Sequence, residues 1–185
     1  MTGFPLHLLR HGEPELTGRM LGRTDSPATP QGIAACVARA AGLAVTRRIS
    51  SDLSRARACA EAIGPTDVDP RWRELDFGAW DGLAAAEIDA GALGRFWDDP
   101  DGAPPPGGER WSALVARVAA AIADLPPEPT LIVTHGGAMR AVLHALCGFD
   151  ARAVWSFALP YASLVTLAVW DGAPRTAQVT GLVTA

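Results

Sequence analysis

Two histidines stand where apolar runs end. The first closes residues 4–9 in Leu8-Leu9-Arg10-His11-Gly12-Glu13; the second closes Leu131-Ile132-Val133-Thr134-His135-Gly136-Gly137. Each run has the length and composition of a buried strand. In an α/β sheet, ligands bind outside the carboxyl ends of such strands. A neutral imidazole is a nucleophile at ordinary pH. A planar guanidinium binds phosphate oxygens in pairs. Backbone N–H groups at Gly136-Gly137, where a helix would start, favour an anion. Together these residues fit a site that attacks and clamps phosphate.

Other segments add polar chemistry between the two histidines. Met20-Leu21-Gly22-Arg23-Thr24-Asp25 leads to Gln31-Gly32, and Ile49-Ser50-Ser51-Asp52 leads to Arg55 and Arg57. Arg73-Glu74-Leu75-Asp76-Phe77-Gly78-Ala79-Trp80-Asp81-Gly82 and Pro106-Gly107-Gly108-Glu109 follow. In this order, over residues 6–140, the segments closely resemble the histidine phosphatase superfamily. That family includes cofactor-dependent phosphoglycerate mutases and many small phosphatases.

The resemblance implies roles for individual residues. His11 is the nucleophile that becomes phosphohistidine. Arg10, Arg55 and His135 match the phosphate clamp, with Gly136 at the helix start behind it. Glu74, in the Glu-x-x-Phe-Gly-x-Trp pattern, matches the acid/base that protonates the leaving alkoxide and later deprotonates water. Thr17 stands where the mutases carry an asparagine, and keeps one hydroxyl donor. Leu21 replaces a residue that is commonly polar. Arg23 binds a second anionic group or is a solvated loop arginine, and Arg57 divides in the same way. Glu13 and Glu109 fit capping or first-turn charges. Trp72, Trp80, Trp97 and Trp155 serve core packing or stack on an aromatic leaving group.

The compact length and the stretch from Phe77 to Gly82 resemble the phosphatase branch. α-Ribazole phosphatase of cobalamin assembly is one similar small member. The expected function is therefore hydrolysis of a small phosphorylated metabolite by a phosphomonoesterase. The alternatives are mutase-type phosphoryl transfer and a non-catalytic phospho-ligand binding module. The presence of Arg10, His11, Arg55, Glu74 and His135 together argues against the module.

Composition narrows the remaining classes. All 16 basic residues are arginine. That excludes a lysine Schiff base and a phosphate-loop lysine. A net charge of −4 gives no electrostatic case for nucleic acid or an anionic membrane. Cys36, Cys59 and Cys147 are odd in number, widely spaced and set in apolar surroundings, so they read as free core thiols. No His-Glu-x-x-His or similar ligand spacing occurs, so neither metal nor other cofactor is expected. No secretory leader or membrane-length apolar run is visible, and a cytoplasmic enzyme is the expectation.

The elements that must position these residues follow from periodicity and punctuation. Strands are expected at 4–9, 45–50, 130–134, 164–170 and 176–183, with a short one at 70–75. Helices are expected over 30–41, 51–63, 109–125 and 137–147, with short ones near 83–90 and 91–98. Thr29-Pro30 caps the first helix. Strands alternating with helices predict an α/β fold: one domain over 1–185, a three-layer α/β/α sandwich with a mostly parallel, phosphoglycerate mutase-like sheet. Specificity would come from the irregular segments 12–25 and 76–108, and the two closing strands could pair a homodimer.

Overall fold

The computed structural model describes residues 3–184. Six strands form one mixed sheet: β1 (Phe4–Arg10), β2 (Arg47–Ser50), β3 (Asp67–Val68), β4 (Thr130–Thr134), β5 (Leu164–Trp170) and β6 (Thr176–Val183). Their order is β3-β2-β4-β1-β5-β6. The first four run parallel, while β5 is antiparallel to both β1 and β6.

Side chains alternate across a strand, so each sheet face collects its own core. On one face Leu9, Leu131 and Val133 pack with α1 (Pro30–Ala40) and α2 (Ser54–Ile63) through Cys36, Ala56 and Cys59. On the other, Leu6, Leu8 and Ile132 pack with α4 (Trp111–Ala123) and α5 (Gly136–Cys147) through Leu114, Val118 and Met139. Phe96 brings the short helix α3 (Ala90–Asp98) into this second core. The result is the expected three-layer α/β/α sandwich. Among the described residues, no helix is long and apolar enough to cross a membrane.

The local signals act largely as their chemistry suggests. The Thr29 hydroxyl accepts from the Gly32 N–H at 3.0 Å, with Pro30 in the first turn of α1. The first turn also lies directly on the chain leaving β1. A Cβ on Gly12 would fall 2.1 Å from the Gly32 carbonyl oxygen, and one on Gly32 would fall 2.5 Å from Glu13 N. Neither side has room for a side chain.

Three expectations shift. The strand expected at 70–75 is absent; the edge strand is β3 instead, and Pro70–Trp72 forms a 3-10 turn. Asp69 caps that turn by accepting from Arg71 N at 2.9 Å, which sends Trp72 into the core rather than along a ladder. Helix α2 begins at Ser54 rather than at 51, because Ser51 N donates to the Val133 carbonyl at 3.3 Å and prolongs the β2 end. The helix expected near 83–90 contracts to a 3-10 turn at Ala85–Glu87.

Candidate active site

β1 and β4 are adjacent and in register, with Arg10 opposite Thr134. The residue that follows each strand, His11 or His135, therefore falls beside the other. Their ring centroids lie 5.0 Å apart, and both side chains are buried. His11 N donates to the Thr134 carbonyl at 2.8 Å, which ties the two strand ends together.

The His11 ring is oriented by its own backbone. Nδ1 lies 2.7 Å from the Gly12 carbonyl oxygen. A carbonyl only accepts, so Nδ1 carries the proton and Nε2 keeps a bare lone pair. Burial, then the charges of Arg55 and Arg10, hold its pKa well below the usual histidine value, outweighing the opposing pull of the Gly12 carbonyl. The same influences, with His11 and Arg117 added, lower His135. His135 Nε2 lies 2.7 Å from the Ser51 hydroxyl. Its Nδ1 is buried with no protein partner.

Around the rings stand arginines with no carboxylate partner among the described residues. Arg55 is 0% exposed and donates to the carbonyls of Leu21, Gly22 and Thr24 at 2.7, 3.1 and 3.0 Å. Arg10 donates to the Leu159 carbonyl at 2.5 Å, and its guanidinium carbon lies 4.4 Å from the Tyr161 ring centroid. Arg140, one helical turn after Gly136 on α5, donates to the Gly136 and Phe157 carbonyls, both at 3.2 Å. The Nε atoms of all three are buried without protein partners. Buried donors normally find an acceptor. Several unpaired cationic donors beside a bare imidazole nitrogen form an anion site.

Glu74 sits across from these groups, on the α5 N-terminus. Gly137 N lies 2.9 and 3.1 Å from its two carboxylate oxygens, and Leu75 N lies 2.8 Å from Oε1. A Cβ on Gly137 would stand 2.1 Å from Oε1, so the glycine makes this seating possible. The backbone under Glu74 is braced by Arg117, which donates to the carbonyls of Arg71, Arg73 and Glu74 at 2.7–2.8 Å. Glu109 holds Arg117 through contacts of 2.7 and 3.0 Å.

A cavity of about 220 Å³ opens between these groups, lined by Arg10, His11, Glu74, Gly136, Gly137 and Arg140 and by an apolar wall. The structure thus brings His11, His135, Glu74, Arg10, Arg55 and Gly136 together, with Arg55 and His135 lying behind the cavity rather than on its surface. It does not bring in Thr17, which is exposed and lies off the lining. Arg23 also lies off the lining, paired with Asp76 at 3.2 Å. Arg57 lies on the solvated face of α2, 3.5 Å from Glu61. Sequence reading missed Ser51, Arg117, Arg140 and Tyr161. Arg140 had a readable signal, four residues after Gly136 on one helix face. Tyr161 and Arg117 had none, since chain reversals bring them in. Among the described residues, no group of three or more His, Cys, Asp and Glu side chains converges as a metal site needs.

The sheet order and the strand-end cluster define an α/β protein built to bind and attack a phosphoryl group. Residues 6–180 match the histidine phosphatase superfamily (branch 1), and the chain belongs to that family. It is 35% identical over 165 residues to a glucosyl-3-phosphoglycerate phosphatase of Mycobacterium tuberculosis, covering 76% of this chain and 74% of the relative. It is 33% identical over 168 residues to a probable phosphoglycerate mutase of Enterobacter, covering 80% of this chain and 77% of the relative. A solved mycobacterial glucosyl-3-phosphoglycerate phosphatase superposes with a TM-score of 0.85 at 29% identity, over 96% of this chain and 97% of that one. A putative alpha-ribazole-5'-P phosphatase of Escherichia coli shares the fold, with a TM-score of 0.85 at 24% identity over 99% and 97%.

Proposed function

We propose that this chain is a phosphomonoesterase that hydrolyses a small phosphorylated metabolite through phosphohistidine on His11. The observation that carries the proposal is the 2.7 Å bond from His11 Nδ1 to the Gly12 carbonyl, which leaves Nε2 unprotonated beside unpaired arginine donors. The Nε2 lone pair attacks phosphorus, an N–P bond forms, and the P–O bond to the leaving group breaks. Protonated Glu74 gives its proton to the departing alkoxide, which leaves as an alcohol. Water then attacks phosphorus and passes a proton to the Glu74 carboxylate. The N–P bond breaks, its electron pair returns to Nε2, and inorganic phosphate departs.

Charge on the transferring group spreads over its oxygens. Arg10, Arg55 and the Nδ1–H of His135 are the donors proposed to meet it, with the Ser51 hydroxyl donating to Nε2 of His135 to hold that tautomer. The Gly136 N–H adds the helix terminus. Thr17 and Arg23 enter this mechanism only if loop 12–25 moves on substrate binding. A homodimer rests on the outer edge of β6 alone.

The test is phosphate release from p-nitrophenyl phosphate in EDTA, wild type beside His11→Ala. Turnover and acid-labile phosphoenzyme are expected in wild type, and neither in the variant. Phosphoenzyme in His11→Ala would sink the mechanism. Incubation with 3-phosphoglycerate separates the mutase alternative, since a mutase returns the 2-isomer where a phosphatase returns inorganic phosphate.

A further inference from the structure

The cavity has two ends of opposite character. Arg10 and Arg140, beside the neutral His11, make one end cationic. The other is aromatic. Trp97 and Trp155, from α3 and the 3-10 turn at Ala153–Ser156, meet edge to face with centroids 4.9 Å apart. They stay 43% and 36% exposed, whereas Trp72 and Trp80 are buried in the core. Phe96 backs Trp97 at 4.8 Å. The Arg140 guanidinium lies 4.4 Å from the Trp155 ring centroid, so a planar cation continues the aromatic wall toward the phosphate end.

Large apolar side chains left exposed together at a cavity mouth mark a contact surface. The chemistry of the wall says what kind. Among the described residues, no Ser, Thr, Asn, Gln or Asp lines the cavity, and Glu74 is its sole carboxylate. Tyr161, the one lining residue with a hydroxyl among the described residues, stands at the phosphate end, its ring centroid 5.5 Å from that of His11. Arg19, at the rim, is already bonded to the Gly82 carbonyl at 2.7 Å and to Glu87 at 3.2 Å. A sugar or glyceryl group needs donors and acceptors together for its hydroxyls; among the described residues this wall offers donors, the remaining N–H groups of Arg19 and the unpartnered Nε1–H of Trp111, but no side-chain oxygen acceptor beyond Glu74 and Tyr161. A flat ring needs a stacking surface, and this wall is one.

We infer that the site selects phosphomonoesters whose leaving group is aromatic and uncharged, seated against Trp97 and Trp155 with the phosphate on His11. The inference rests on the phosphatase reading and goes beyond it. It also sets this chain apart from its mycobacterial relatives, whose name specifies a glucosylated phosphoglycerate.

Three primary-alkyl esters with similar leaving oxygens provide the test: 2-phenylethyl phosphate, propyl phosphate and glycerol 1-phosphate. The expected kcat/KM for the phenylethyl ester exceeds that for propyl phosphate by about tenfold or more, in keeping with stacking on an aromatic side chain. Glycerol 1-phosphate is expected to be the poorest. Trp97→Ala and Trp155→Ala are each expected to shrink the phenylethyl-to-propyl ratio severalfold, and Trp155→Phe to retain most of it. A glycerol 1-phosphate rate equal to the phenylethyl rate, or a ratio unchanged in both alanine variants, overturns the inference.

Calorimetric binding of 3-phenylpropylphosphonate against butylphosphonate provides a readout without turnover. Tighter binding of the aromatic phosphonate with no ester hydrolysed keeps the leaving-group inference and removes the phosphatase reading. Equal hydrolysis of all three esters with equal phosphonate binding does the reverse.

Discussion

At the scale of single residues, the site depends on histidines kept neutral and a carboxylate kept in place. Burial and the charges of Arg55 and Arg10 lower the pKa of His11, and His135 is lowered for the same reasons. Both rings are therefore expected to keep neutral-imidazole shifts when an NMR titration descends through pH 6.5, where an exposed histidine protonates. Titration of either ring near that pH would mean that neither burial nor the arginines hold it neutral. Gly137→Ala tests Glu74. The new Cβ would meet Oε1 at 2.1 Å and push the carboxylate off the helix terminus. The expected loss in kcat is roughly 10²-fold for alkyl phosphates, the lower range of general acid catalysis. It should be much smaller for p-nitrophenyl phosphate, whose leaving group barely needs a proton. Equal losses for both would mean that Glu74 does not act as the acid.

At the scale of elements, placement comes from register and from one strut. Parallel pairing of β1 with β4 sets His11 beside His135 although they lie 124 positions apart in the sequence. Arg117 holds three carbonyls of residues 71–74 from α4, and Glu109 holds Arg117. Arg117→Met would leave those carbonyls without a donor. The expected cost is about 3 kcal/mol, read as a lower urea midpoint, because an unsatisfied buried acceptor costs ~1–3 kcal/mol. Alkyl phosphate turnover should fall more than p-nitrophenyl phosphate turnover, since Glu74 rides on that segment. Unchanged stability would mean that water replaces the strut. Residues 70–75 also mark a limit of pattern reading: a short strand was expected there, but Pro70 and the Asp69 cap turn the chain instead.

At the scale of the whole molecule, two wholly buried neutral histidines tie stability to pH. Their folded pKa values lie below the unfolded value near 6.5, so below that pH the unfolded chain binds protons that the native state refuses. Stability therefore falls as pH drops from 6.5 toward the folded values. Buried His7 adds a smaller effect of the same sign. Between pH 7.5 and 5.5, linkage predicts a loss of about 1 kcal/mol per fully buried histidine. Urea denaturation at the two pH values checks this, and equal midpoints would contradict it. Asp52 and Asp69 are depressed as well, by Arg73 and Arg71, the latter against an opposing burial effect. Their contribution is present above their unfolded pKa near 4 and is lost only on further acidification.

Much of this molecule could be read from local chemistry. The apolar runs, the Thr29 cap and the Gly136-Gly137 helix start each act within a few residues, so the strands and main helices were legible. So were His11, Arg10 and His135, because strand ends position them without help from distant chain. The α/β/α layering followed from the alternation of strands with helices. Contacts between distant segments had no local signature. Only the folded sheet placed Ser51 on His135, laid Tyr161 over Arg10, and passed Arg117 beneath Glu74. It also left Thr17 in solvent and Arg23 on Asp76, although both lie within the 12–25 segment expected to set specificity. The tryptophans divide on the same principle. Residue type made Trp72, Trp80, Trp97 and Trp155 equally able to pack or to stack. Burial depends on what the rest of the chain brings alongside, and the tertiary structure alone left Trp97 and Trp155 at the mouth of the cavity.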